Sequence, residues 1–304
     1  MTRVLVTGAA GFVGRQVLAL LADTGYTVHA VSSRTSSPAL PASQWHRADL
    51  RDPLQAAAVI KASLPTHLLH LAWCTNPDDY RTSPENECWR AGSTALLETF
   101  GQCGGQRAVV AGTCMEYDWQ DGLCHEDVTP LRPDTAYGRA KTALGAQLDV
   151  IASASGFSAA WGRLFFLYGP YEKSRRFVPA VIESLLAGVP ALCTHGRQVR
   201  DYLHVADAAR AFVTLLECRH PGAVNIASGT GVSLGEIGAL LAQAVGRPDL
   251  LRLGAIPAPA AEAPRVVGEV SRLESLGWKP RYTLTEGLRD TVEWWRRTAR
   301  APAA

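Results

Sequence analysis

Val4-Leu5-Val6-Thr7-Gly8-Ala9-Ala10-Gly11-Phe12-Val13-Gly14 sets a short run of branched apolar residues ahead of three glycines, with a stretch of helical period over 13–24 directly after them. In a strand-turn-helix of this kind the first glycine permits the tight turn. The second lets backbone approach a pyrophosphate, and the third allows close packing of helix on strand. Free amides at the helix N-terminus and the helix dipole then favour negative charge. Gly8, Gly11 and Gly14, with Phe12 and Val13 between them, are therefore the expected dinucleotide cradle. The spacing is Gly-x-x-Gly-x-x-Gly rather than Gly-x-Gly-x-x-Gly, and a glycine-rich turn without a ligand is the alternative reading.

Similar apolar runs recur at 27–31, 67–72, 107–111 and 159–164, separated by helical periods such as 54–63. Alternation of this kind predicts an α/β fold: a Rossmann-type, doubly wound parallel sheet with helices on both faces. From about Tyr168 the texture changes to turns rich in Gly and Pro, with helical pieces at 178–187 and 234–245 and a helical tail at 284–297. The expected division is a nucleotide-binding domain over 1–166 and a smaller C-terminal α/β domain over 167–304. Segments near 200–213 are expected to return to the first domain, and strand-like 202–205 and 223–226 fit either sheet. The Ala/Pro-rich 256–264 reads as a loop.

The chain has 304 residues, 47% of them apolar and 19% charged, which is the composition of a globular protein with a proper core. A net charge of +2 provides no extended field for a polyanion or an anionic membrane, so neither is an expected partner. Seven cysteines, without a Cys-x-x-Cys or a histidine pair at ligand spacing, read as reduced thiols of a cytoplasmic protein and point to no metal. The apolar start is too short for a signal-peptide core, and no apolar stretch reaches membrane-spanning length.

The second strand runs into Ser32-Ser33-Arg34. An acidic residue there would hold the adenosine ribose and repel a 2′-phosphate; Ser33 and Arg34 instead favour NADP(H) over NAD(H), unless Arg34 is only a solvated loop charge. Asp49-Leu50 follows the third strand. Its carboxylate either meets the adenine amino group or caps the helix beginning near Pro53.

Tyr137 and Lys141 stand at i and i+4 in a helical stretch over 137–151, on one face. A phenol near pKa 10 is a poor proton donor at neutral pH, and an ammonium one turn away stabilises its phenolate. Lys141 also suits the nicotinamide ribose hydroxyls. Thr113 follows the run 109–112, at the carboxyl end of a parallel strand where such sheets bind ligands. Its hydroxyl either donates to a substrate oxygen gathering charge or satisfies a local turn.

With the glycine turn, Thr113, Tyr137 and Lys141 in this order, the chain resembles the extended short-chain dehydrogenase/reductase superfamily, and within it the NAD-dependent epimerase/dehydratase family. The likeness includes His70-Leu71-Ala72, Arg163-Leu164-Phe165-Phe166-Leu167-Tyr168-Gly169-Pro170, Arg200-Asp201-Tyr202-Leu203-His204-Val205, Val224-Asn225-Ile226 and Leu276-Gly277-Trp278. It implies a dinucleotide domain, a smaller domain holding a nucleoside diphosphate sugar over the nicotinamide, and a homodimer. It implies Thr113, Tyr137 and Lys141 as the catalytic set, and Leu71 and Ala72 beside the cofactor. Arg200 is the implied phosphate ligand, since a guanidinium clamps a diphosphate with two parallel bonds; the alternative is an ion pair with a carboxylate such as Asp207.

Departures from the family pattern carry information. Cys114 and Met115 stand where dehydratases carry Asp and Glu, which argues against dehydration. Phe166 and Trp89 replace asparagines, and Trp73 fills a normally small position. Apolar walls leave sugar hydroxyls unpaired and so suit a deoxy or keto sugar. Cys114, Phe166 and Phe177 join Thr113 and Arg200 as expected substrate contacts. The segment 257–264 has no arginine where many relatives carry a second phosphate ligand. The leading expectation is NADPH-dependent reduction of a 4-keto group on a nucleotide-activated deoxysugar. A 4-epimerase with tightly held NAD and a reductase of a non-nucleotide carbonyl are the alternatives.

Overall fold

The computed structural model describes residues 2–22, 24–33, 40–259 and 262–300. In chain order the first elements are β1 (Arg3–Thr7), α1 (Phe12–Leu21), β2 (Thr27–Ser32), β3 (Gln44–Arg47), α2 (Pro53–Ser63), β4 (His67–His70) and α3 (Glu85–Gln102). There follow β5 (Arg107–Thr113), β6 (Leu123–Cys124), α4 (Ala136–Ser155), β7 (Ser158–Leu164), β8 (Phe166–Tyr168), α5 (Phe177–Leu186), β9 (Ala191–Leu192) and β10 (Val199–His204). The remainder comprises α6 (Val205–Glu217), β11 (Gly222–Ile226), β12 (Gly231–Ser233), α7 (Leu234–Val245), β13 (Leu251–Arg252), β14 (Arg265–Gly268), α8 (Ser271–Ser275) and α9 (Leu284–Arg300).

The larger sheet has the order β11-β7-β5-β4-β1-β2-β3, and each pairing in it is parallel. Strands covered on both faces need apolar side chains at every position rather than at alternate ones, and β5 is buried along its whole length. On one face Val17, Leu18 and Leu21 of α1 pack with Ala208, Phe212 and Leu215 of α6. On the other, Leu96, Leu97 and Phe100 of α3 meet Leu144 and Leu148 of α4 around Trp161. The apolar run 67–72 stops being a strand at His70, whose partner Thr7 is the last residue of β1. Beyond it the amides of Leu71 and Ala72 leave the ladder and donate to Thr7 Oγ1 at 3.1 and 3.2 Å.

A second sheet, β12-β10-β14-β6 with β8 on β10, takes strands from both halves of the chain. β10 belongs to it, whereas α6 packs on the large sheet and β11 is that sheet's edge strand. Asp201 of β10, fully buried, knits this junction. It accepts from the N–H and hydroxyl of Ser228, both at 2.7 Å, from Gly229 N–H at 3.0 Å and from Gly268 N–H at 3.2 Å. Asp201→Ala leaves those donors facing a void, so urea unfolding is expected to show a loss of about 3–5 kcal/mol; a loss under about 1 kcal/mol would mean that other acceptors or water replace the carboxylate.

Candidate active site

The glycine turn is built by contact between backbones. Gly8 has φ +65°, and a Cβ there would lie 2.9 Å from the amide nitrogen of Ala72; at Gly14 it would lie 2.2 Å from the carbonyl oxygen of Gly8. Gly11 precedes α1 without a side-chain cap, and the first turn of α1 holds no acidic residue. The leading amides of α1, at Phe12, Val13 and Gly14, therefore have no intrahelical acceptor and no competing carboxylate, which fits a pyrophosphate. Leu71 and Ala72 cover Gly8 from β4. Their anchor Thr7 Oγ1 is itself hydrogen-bonded to His70 Nδ1 at 2.7 Å, and His70 Nε2 to Ser93 Oγ at 2.9 Å. Burial and the Lys141 charge bring the His70 pKa down to about 3, so the ring bridges these hydroxyls as neutral imidazole.

Ser33 is exposed directly after β2, and Arg34 lies outside the described residues. Asp49 does not cap α2: Asp52 does, accepting from Leu54 N–H at 2.9 Å. The Asp49 carboxylate instead pairs with Arg51 at 2.8 Å, and that guanidinium, reaching on to Glu85, holds its carboxyl below the usual range. Leu50 is buried, and Gly92 is needed beside its carbonyl, 1.8 Å from where a Cβ would stand.

Thr113 ends β5 and opens a short 3-10 turn over Cys114–Glu116. Thr135 caps α4 by accepting from Gly138 N–H at 3.0 Å. Gly138 lets the helix approach that turn so closely that a Cβ would stand 2.5 Å from the Met115 carbonyl oxygen. This approach brings the expected catalytic residues together. Burial pushes the Tyr137 phenol up, the neighbouring Tyr80 adds to this, and a hydrogen bond with Thr113 works against it. Burial brings Lys141 down to about 7, with the Glu116 charge opposing. Lys141 Nζ donates to Ala111 O at 2.9 Å.

Lys141 has to be charged to stabilise a phenolate, and its depressed pKa means that this charge is lost as pH rises through about 7. The pH profile of kcat/KM is accordingly expected to fall on its alkaline side with a midpoint at about 7. A profile flat to pH 9.5 would show that the ammonium is not needed.

Trp73, expected as a bulky wall of the sugar pocket, covers Lys141, with Nζ 3.8 Å from the ring centroid, while its N–H donates to Asn86 Oδ1 at 2.8 Å. Trp89 stacks behind it at 6.0 Å. Tyr80, not singled out from the sequence, sets its ring edge-on to Tyr137 at 5.1 Å. Cys114 and Phe166 share one buried cluster, and Arg200 lies 5.6 Å above the Phe166 ring. Arg200 pairs with Glu262 at 2.8 Å, not with Asp207, which is taken by Arg210 and the backbone N–H groups of Arg281 and Tyr282. Gln198 grips the other Glu262 oxygen at 2.8 Å. Phe177 lines a cavity of about 370 Å³ together with Gln198 and Glu262. That cavity is adjacent to Arg200's partner, and none of Thr113, Tyr137 and Lys141 lines it. Nothing in the sequence marked Glu262, because its pairing with Arg200 spans 62 positions.

A parallel sheet with a glycine turn at the carboxyl end of β1, Thr113 at the end of β5 beyond β4, and Tyr137 and Lys141 on the following helix α4 is the arrangement of an extended short-chain dehydrogenase/reductase. The chain belongs to the NAD dependent epimerase/dehydratase family, whose sequence model matches residues 4–227. It is similar to the UDP-glucose 4-epimerase of Streptomyces lividans, 27% identical over 95% of each chain. It is similar to the dTDP-4-dehydro-6-deoxy-D-allose reductase of Streptomyces bikiniensis, 28% identical over 98% of this chain and 97% of the other. Among solved structures, MoeE5 in complex with UDP-glucose and NAD is 31% identical over 98% of this chain and 99% of the other, with a TM-score of 0.85. The chain is thus an enzyme of the epimerase, dehydratase and reductase type that works with a nicotinamide cofactor. Among the described residues, no helix is long and apolar enough to cross a membrane.

Proposed function

We propose that this enzyme reduces a 4-keto group on a nucleotide-activated deoxysugar, with NADPH favoured over NADH. The observation that carries the reading is the convergence of Thr113, Tyr137 and Lys141 at the carboxyl edge of the sheet, with Cys114 and Met115, not an acid pair, following Thr113. The nicotinamide supplies the hydride when bound. Thr113 donates a hydrogen bond to the carbonyl oxygen, Tyr137 protonates the forming alkoxide, and the Lys141 ammonium stabilises the phenolate left behind. Arg200 meets the diphosphate, in exchange for or shared with Glu262, and Phe166 offers an apolar face to a deoxygenated carbon. The 28% identical 4-dehydro-6-deoxy-sugar reductase supports this choice, as does a second strand that ends in Ser32 and is followed by Ser33 rather than by a carboxylate.

The second reading is a 4-epimerase, favoured by the Streptomyces lividans relative and by NAD in the MoeE5 complex. Here Tyr137 takes the proton from the sugar hydroxyl while tightly held NAD would serve as the reversible hydride acceptor; with the hydride returned to the other face of the resulting ketone, Tyr137 gives the proton back to the oxygen. Absorbance at the reduced-nicotinamide band during turnover of nucleoside diphosphate 4-keto-6-deoxysugars separates the two. Stoichiometric NADPH loss is expected; tightly bound NAD with interconverting sugar isomers and no net loss would overturn the reductase. A carbonyl substrate without a nucleotide would be revealed by the absence of salt-sensitive inhibition by free nucleoside diphosphates. The reading includes a homodimer, to be checked by light scattering.

A further inference from the structure

The geometry points to Glu116 as the positioning residue that holds Thr113 in place and supplies the fixed negative charge against which Tyr137 and Lys141 are set. This rests on Tyr137 and Lys141 acting as proposed above.

Glu116 is 1% exposed. Its Oε1 accepts the Thr113 N–H at 2.7 Å while Thr113 Oγ1 accepts from Met115 N–H at 3.3 Å, a reciprocal capping box that orients the threonine from both ends. Two further donors fix the carboxylate: Trp161 Nε1 at 3.0 Å from each oxygen and Arg163 Nε at 2.8 Å from Oε2. Arg163 is held in turn by the Tyr117 hydroxyl at 2.8 Å, which donates to Asn225 Oδ1 at 2.8 Å.

Space for this arrangement is left open by glycines. A Cβ on Gly112 would stand 2.2 Å from Trp161 Nε1 and 2.8 Å from Glu116 Oε1, and one on Gly145 would stand 3.2 Å from the indole. The centroid of the same indole ring is 6.0 Å from Lys141 Nζ. The carboxylate therefore has the catalytic threonine on one side and, across one tryptophan, the catalytic lysine on the other. A buried ion pair is weak evidence for stability by itself, since both ions lose their water. Near a reacting centre its field has a definite effect: the Glu116 charge raises both Lys141 and Tyr137. An ammonium kept charged and a phenol kept protonated are what reduction of a ketone requires.

Glu116→Gln keeps the shape and removes the charge; Glu116→Asp keeps the charge and loses the reach to Thr113. For Glu116→Gln, kcat is expected to fall about 10- to 100-fold with KM little changed, and the alkaline limb of kcat/KM to move about half to one unit toward acid pH. For Glu116→Asp, kcat falls while the limb stays where it is in the wild type. A fall in kcat for Glu116→Gln with an unmoved limb would overturn the charge role and leave only a strut. Full activity in Glu116→Asp would overturn the positioning role, and that variant decides the matter if Glu116→Gln does not fold. The same limb is read in parallel from the pH dependence of NADPH and NADH binding, by quenching of tryptophan fluorescence. A wild type that binds nicotinamide nucleotides but turns over no nucleotide sugar would sink the proposed reaction and leave Glu116 to be judged on this binding limb alone.

Discussion

Tyr137→Phe is expected to lower kcat by about 10³-fold or more, because positioned proton transfer contributes about 10²–10⁴ and the alternative donor is solvent, largely shut out of a buried site. The substitution removes one oxygen and little else. The ring remains packed against Tyr80 at 5.1 Å and Trp73 at 6.2 Å, so the fold and the cofactor site are retained. The prediction is therefore a split: binding of NADPH by fluorescence titration within about threefold of the wild type, melting temperature changed by only a few degrees, and turnover nearly abolished. A Phe variant with a tenth or more of wild-type kcat would remove Tyr137 from the proton path. Equal losses in cofactor binding and turnover would instead assign it to binding.

Gly14→Ala is expected to raise the dissociation constant of the nicotinamide nucleotide at least about 100-fold, equivalent to about 2.7 kcal/mol. The added methyl would lie 2.2 Å from Gly8 O and 2.8 Å from Ala9 Cα, both backbone atoms that have no rotamer to move into. Relief requires α1 to lift from β1, which withdraws the amides of Phe12 and Val13 from the phosphate position. Gly25→Ala is the control: φ is +74° but nothing lies within 4 Å of the added carbon, so it costs about 1–2 kcal/mol of backbone strain and leaves cofactor binding unchanged. Isothermal titration of both variants checks this. Tight binding by Gly14→Ala would show that the nucleotide does not rest on this turn.

Much of the architecture was legible because it is decided over short stretches of chain. Five short apolar runs predict five parallel strands; β3, polar and partly exposed, was expected only from its place ahead of Asp49, and the structure adds β11, which the sequence left open between two sheets. The predicted helix 234–245 coincides with α7, whose start carries a capping box between Ser233 and Glu236. The expected run 67–72 ends earlier as a strand because Thr7 Oγ1 takes the amides of Leu71 and Ala72.

At the site the same division holds. Thr113, Tyr137 and Lys141 were readable because a strand end, a turn and a single helical face are local properties, as is the glycine cradle. The partners of those residues were not: Trp73 over Lys141, Glu116 against Trp161 and Arg163, and Glu262 on Arg200 join segments that only the packed sheets bring together. Local pattern, which reads on hydrophobic period and backbone freedom, was enough by itself to determine the parallel fold and to single out the glycine turn and the proposed trio of Thr113, Tyr137 and Lys141. Which charges stand beside that trio, and that Glu262 pairs with Arg200, is set by electrostatics between distant residues, and only the tertiary structure decided it.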